Sequence, residues 1–153
     1  MKVLRGVEDQ KAFDKGMSNE TTARGLSTLL EAIYAGKAAS KSSTGEMQAI
    51  LKRQKFNDGI PAGVPKDVAV GHKTGTITKI HHDAAIVYAA KPYVLVVMTR
   101  GMADEAKSDM LIAEISRLVS AEGSVSLHGS SSIVSRVARW AAVREIAAGL
   151  RAG

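Results

Sequence analysis

The sequence predicts an α/β domain: an antiparallel sheet with helices on both faces. Three observations carry that expectation: leucines and isoleucines at helical spacing ahead of residue 52, strand-like runs between 68 and 99, and a further amphipathic stretch after 104. With 153 residues, 45% of them hydrophobic and 24% charged, the chain suffices for one core rather than two.

A helix is expected from Thr21 or Thr22, where a hydroxyl can cap free N–H groups, with Leu26, Leu29, Leu30 and Ile33 on one face and Gly36 as its stop. A second is expected to open at Ser43, with Glu46 completing a capping box and Met47, Ile50 and Leu51 on one side. The stretch Asn57-Asp58-Gly59-Ile60-Pro61-Ala62-Gly63-Val64-Pro65 reads as loop. Strands are expected at Val68–Ile77, Asp83–Tyr88 and Tyr93–Thr99, the last two joined by a turn at Lys91-Pro92 as an antiparallel hairpin. Val94-Leu95-Val96-Val97-Met98 is apolar at odd and even positions alike, so that strand needs cover on both sides. A closing helix, Asp104–Ala121, places Leu111, Ile115 and Leu118 at helical spacing, with Asp104 and Glu105 suited to its positive end.

After residue 122 the texture changes. Residues 123–132 are rich in serine and glycine and read as a connector, and 133–153 form a basic tail with a helix expected from about Ile133 to Leu150. Its apolar residues, Ile133, Val137, Trp140, Val143, Ile146 and Leu150, hold no clean stripe, which favours a loosely packed appendage over a membrane-surface helix. The formal net charge is +6, and Arg136, Arg139, Arg144 and Arg151 against Glu145 supply half of it. Aromatics are only 4% of the chain, so the stacking platforms of nucleic-acid binders are scarce and no nucleic-acid partner is expected. No cysteine occurs, which excludes disulfides, thiol nucleophiles and cysteine-zinc sites. The first residues show no signal-peptide core, so the chain as written is expected to be cytoplasmic.

The most informative stretch is Gly71-His72-Lys73-Thr74-Gly75-Thr76. It is not a P-loop, because His72 separates the glycine from Lys73 and the chain runs on as strand. Lys-Thr-Gly on a strand is a signature element of class A β-lactamases and penicillin-binding proteins. Its surroundings strengthen the match: Asn19-Glu20-Thr21-Thr22-Ala23-Arg24 before a helix, Gly59-Ile60-Pro61-Ala62-Gly63-Val64-Pro65 before the strand, then His82-Asp83-Ala84-Ala85-Ile86-Val87-Tyr88 and Tyr93-Val94-Leu95-Val96-Val97-Met98-Thr99. Together these segments, in order from about Arg5 to Val119, resemble the C-terminal half of class A β-lactamase-like serine hydrolases. The resemblance covers residues 1–122 as part of a family domain with the β-lactamase-like α/β/α sandwich.

The resemblance implies a ring-opening acyl transfer on a β-lactam, the chemistry behind antibiotic resistance. Lys73 and Thr74 would then hold the substrate carboxylate, Gly75 would leave room for substrate, and the Thr76 amide would be an oxyanion donor. No cofactor is implied, and family members are usually exported. Ser-x-x-Lys and Ser-Asp-Asn, which precede Lys-Thr-Gly in the family, do not occur ahead of Lys73. The nucleophile is absent from this sequence, and Ser108-Asp109-Met110 comes too late in the order to serve. Glu8 sits near where the family keeps its deacylating glutamate, but without the usual Glu-x-x-Leu-Asn setting; a solvated surface acid is the stronger reading, with general base as the alternative.

His81, His82 and Asp83 read as a turn-to-strand junction, since adjacent strand residues cannot share one metal ion and two ligands leave a site short. His72 reads as a strand-packing or cleft-wall residue. Competing functions are a D-alanyl peptide carboxypeptidase or transpeptidase relative, whose substrate also presents a carboxylate, and a non-catalytic module that binds an anionic ligand. Self-association, or complementation by an N-terminal half, is the expected partnership for a partial domain.

Overall fold

Three runs rich in valine, isoleucine and threonine pair side by side in the computed structural model, which describes residues 1–124. They are β1 (Val70–Ile77), β2 (Ile80–Val87) and β3 (Tyr93–Arg100), antiparallel throughout and ordered β1-β2-β3. Before them come α1 (Gln10–Asp14), α2 (Ala23–Tyr34), α3 (Lys41–Lys52) and a 3-10 helix at Ile60–Gly63; α4 (Glu105–Ser124) follows. The expected connector and basic tail lie outside the described residues, save Gly123 and Ser124, which close α4.

Alternation of side chains across the strands divides the core in two. Ala85, Val87, Leu95 and Val97 face one side and meet Ile60, Val64, Ile112 and Val119; Ala84, Ile86 and Val94 face the other and meet Leu30 and Ile33. The sheet therefore has helices on both faces, as its doubly apolar strands require. Ile60, Ile86 and Ile112 are at most 1% exposed, and burying a side chain of that size contributes roughly 1.5–3 kcal/mol.

Several local expectations are corrected. The cap of α3 is Ser40, whose hydroxyl accepts from the Ser43 N–H at 3.1 Å, so Ser43 lies inside the first turn and Glu46 is exposed. Leu29, Ile50 and Leu118, expected on the apolar faces of their helices, are 42%, 56% and 62% exposed. On α4 the inward stripe instead runs through Ser108, Ile112, Ser116 and Val119. Two serines belong there because their hydroxyls have partners: Ser108 Oγ lies 2.8 Å from Thr99 Oγ1, and Ser116 Oγ donates to the Ile60 carbonyl at 2.8 Å. The loop between α3 and β1 winds into the 3-10 helix against α4, and a Cβ on Gly63 would lie 2.3 Å from the Ala113 carbonyl oxygen.

β1 and β2 form a second hairpin, closed by Thr78-Lys79 with Lys79 at φ 58°. That tight turn lets β2 begin at Ile80, so His81 and His82 lie within the strand rather than at its junction. Thr22 caps α2 as expected, accepting from the Gly25 N–H at 3.1 Å, and Gly36 follows the helix with φ 73°. Ahead of α2, the Lys2 and Glu20 backbones bridge and close a loop that Asn19 and Arg5 staple from within.

Candidate functional site

β1 is an edge strand among the described residues, paired only with β2. The parity of its ladder follows from one bond just before the strand, where the Tyr88 N–H donates to the Ala69 carbonyl at 2.9 Å. Antiparallel pairing alternates, so residues 71, 73, 75 and 77 bond to β2 and residues 70, 72, 74 and 76 turn their N–H and C=O groups outward. Thr74 and Thr76 thus present backbone donors and acceptors along the free edge. The Lys73 ammonium reaches the same edge and donates to the Thr74 carbonyl at 2.5 Å.

Side chains add a second layer. Lys73 and Gly75 lie on the α3 side of the sheet, in register with Ala84 and His82. On that side α3 covers Gly71, where an added Cβ would approach Leu51 Cβ to 3.3 Å, whereas a Cβ on Gly75 would meet nothing within 4 Å. α3 therefore ends short of Lys73, and the face opens beyond it, with Lys73 and Gly75 exposed and His82 half-buried. The Thr99 N–H donates to His82 Nδ1 at 3.2 Å. Thr74 and Thr76 point to the α4 side, where Thr76 Oγ1 donates to Glu105 Oε1 at 3.3 Å.

The four residues expected to act together are thus contiguous along an open edge. Glu8 is exposed in the turn before α1, and among the described residues no hydrogen bond links it to β1. His81 is buried and faces away from His82, as strand alternation dictates. Ser108 is fully buried against Thr99. Burial, and after it the Glu105 and Asp58 carboxylates, push the neighbouring Asp109 carboxyl up from the usual aspartate range, with His81 opposing.

His72 is not a cleft wall. It is 1% exposed on the α4 side, its Nδ1 3.0 Å from Asp83 Oδ1, while Asp83 Oδ2 accepts the Ile60 N–H at 2.9 Å. Asp83 is not legible in the sequence as its partner, because the pairing is diagonal across two strands. Only the register reveals it: Thr74 stands opposite Asp83, and His72 lies two residues away on the same face.

Residues 1–122 match a family model described as the beta-lactamase enzyme family. No curated protein matches the chain. Among solved structures, an ancestral class A beta-lactamase is 31% identical with a TM-score of 0.61, the match covering 67% of this chain and 41% of that one. A beta-lactamase from Xanthomonas campestris is 26% identical with a TM-score of 0.61, over 66% of this chain and 40% of that one. A mutant of PBP-A, in an acyl-enzyme complex with penicillin G, is 26% identical with a TM-score of 0.59, over 75% of this chain and 50% of that one. The chain spans half or less of the length of each.

Proposed function

This chain belongs to the beta-lactamase enzyme family, and from that premise we propose that β1 is the substrate-facing wall of a β-lactam acyl-transfer site. The observation that carries the reading is the free edge, on which the Thr74 and Thr76 backbone groups, the Lys73 ammonium and the open space at Gly75 occur together. An anionic substrate laid along this edge exchanges the internal Lys73 to Thr74 contact for its own carboxylate, with the Thr74 hydroxyl assisting. The Thr76 N–H then faces the lactam carbonyl, where negative charge develops during attack.

In the family reaction a serine oxygen adds to that carbonyl, the ring C–N bond breaks, and the nitrogen takes up a proton; water then cleaves the acyl ester. This sequence contains no Ser-x-x-Lys, so its own share is recognition and charge stabilisation, and the nucleophile comes from another part of a family domain. Incubating the chain with a penicillin leaves its intact mass unchanged; a covalent adduct on any serine overturns this assignment. Binding is weak, with Kd about 1 mM, near −4 kcal/mol, because one charged wall is not a closed pocket. Lys73→Ala abolishes the amide shifts that a penicillin titration induces at residues 73–76, and equal shifts in both proteins sink the reading.

A D-alanyl peptide is the second substrate class, favoured by the same edge, since an extended peptide can add to it as a strand. Titration with a D-alanyl-D-alanine peptide separates the two. Larger shifts than penicillin produces select the carboxypeptidase or transpeptidase relative. A self-associating partial domain, complemented by an N-terminal half bearing Ser-x-x-Lys, is the partnership this function calls for.

A further inference from the structure

The pair beneath the β1 edge does more than fill space. His72 has an acceptor at each ring nitrogen: Asp83 Oδ1 lies 3.0 Å from Nδ1, and Asn57 Oδ1 lies 3.3 Å from Nε2. The Asn57 amide cannot turn over without loss, because its Nδ2 donates to the Lys55 carbonyl at 3.2 Å. Two acceptors on two ring nitrogens require two N–H groups, which only the imidazolium has. His72 and Asp83 are each 1% exposed, in a core where neither a lone imidazolium nor a lone carboxylate is tenable but the two together are. The second Asp83 oxygen holds the Ile60 N–H, and the backbone there is packed so closely that a Cβ on Gly59 would lie 2.8 Å from Asp83 Oδ2.

We propose that His72 is a buried imidazolium whose pairing with Asp83 positions the Lys73–Thr76 segment. An edge strand is held by a ladder on one side only, and this segment is where β1 must keep its shape while its outward groups stay unpaired. The diagonal charge pair, one residue from Lys73 and directly across from Thr74, ties β1 to β2 and to the loop at residues 57–63. His72 and Asp83 are positioning residues and touch no substrate. The inference deepens the proposed function, on which it rests only for the name of what is positioned.

The test uses the full chain without ligand. Ring nitrogen NMR spectra are recorded together with backbone amide spectra for the wild type, Asp83→Asn and Asn57→Ala. In the wild type both His72 nitrogens should resonate as protonated, with slowly exchanging protons. Asp83→Asn, which can still accept from Ile60 but presents an amide N–H to the ring, should convert His72 to the neutral form with the proton on Nε2. It should also move the amides of residues 73–76 more than those of α2. Should Asp83→Asn fail to fold, Asn57→Ala decides alone, since Asn57 is exposed: the Nε2 proton should exchange faster and the same amides should move. An unprotonated ring nitrogen in the wild type, or residues 73–76 unmoved in the folded variants, overturns the inference. The imidazolium signature in a chain that ignores penicillin would support it while sinking the substrate reading, so the two failures are distinct.

Discussion

Lys73 and Asp109 illustrate how differently charge behaves on the two sides of the sheet. Lys73 is exposed to solvent and donates to the neighbouring Thr74 carbonyl, so it is available to an anion at little desolvation cost. Asp109 sits half-buried on α4, where burial and then Glu105 and Asp58 raise its carboxyl above the unfolded value. A carboxyl whose folded pKa is raised binds its proton more tightly in the folded state. Its ionisation therefore costs stability above that folded pKa, and the cost disappears as pH falls below the unfolded value. Asp109→Asn is expected to raise the melting temperature at pH 7 and to change it little near pH 3, about where the unfolded carboxyl is already protonated. Thermal melts at the two pH values check this, and an equal shift at both would assign the effect to packing.

At the scale of elements, the docking of α4 on the 3-10 helix depends on Gly63. A Cβ there would lie 2.3 Å from the Ala113 carbonyl oxygen and 2.6 Å from the Arg117 nitrogen, both helix backbone that cannot step aside. Gly63→Ala should cost about 3 kcal/mol or more, whereas Gly75→Ala, facing open space, should stay within about 0.5 kcal/mol. Urea unfolding of the two variants measures the contrast, and similar midpoints would refute it. The elements that were legible in the sequence are those whose signal is local: the Thr22 cap, the turn at Lys91-Pro92, and the doubly apolar β3 that demanded two helix layers. The α4 stripe was not, because Ser108 and Ser116 look like surface residues until Thr99 and the Ile60 carbonyl are known to meet their hydroxyls. Likewise the Lys73–Thr76 segment stood out as a motif, while the His72–Asp83 pair below it depends on a strand register that no single stretch encodes.

For the molecule as a whole, the second free edge matters as much as the first. By the same ladder parity, Val94, Val96, Met98 and Arg100 of β3 direct their backbone groups away from β2, and no further strand covers them among the described residues. A long apolar edge of this kind pairs with whatever strand it meets. Leu29, Ile50, Phe56, Met110 and Leu118 add exposed apolar area elsewhere. Light scattering of the purified chain should report species larger than the monomer, together with binding of a hydrophobic dye. Co-expression with a family N-terminal half bearing Ser-x-x-Lys should yield a single monodisperse complex. A compact monomer with a sharp melt and no dye signal would show that this edge is already satisfied, and would favour a self-sufficient binding module.

The two buried serines of α4 carry one more consequence. They are eight residues apart, about 12 Å along the axis, and each hydroxyl is held by a different part of the fold. Two such anchors fix both the rotation and the axial position of a rod, as two dowels fix a plank. Sliding α4 by one turn would bring Ile112 or Asp104 to the place of a serine hydroxyl, an apolar group or a charge where a neutral donor is needed. The hydroxyls therefore register α4 against the sheet and the 3-10 helix, so that rotating or sliding it breaks both contacts at once.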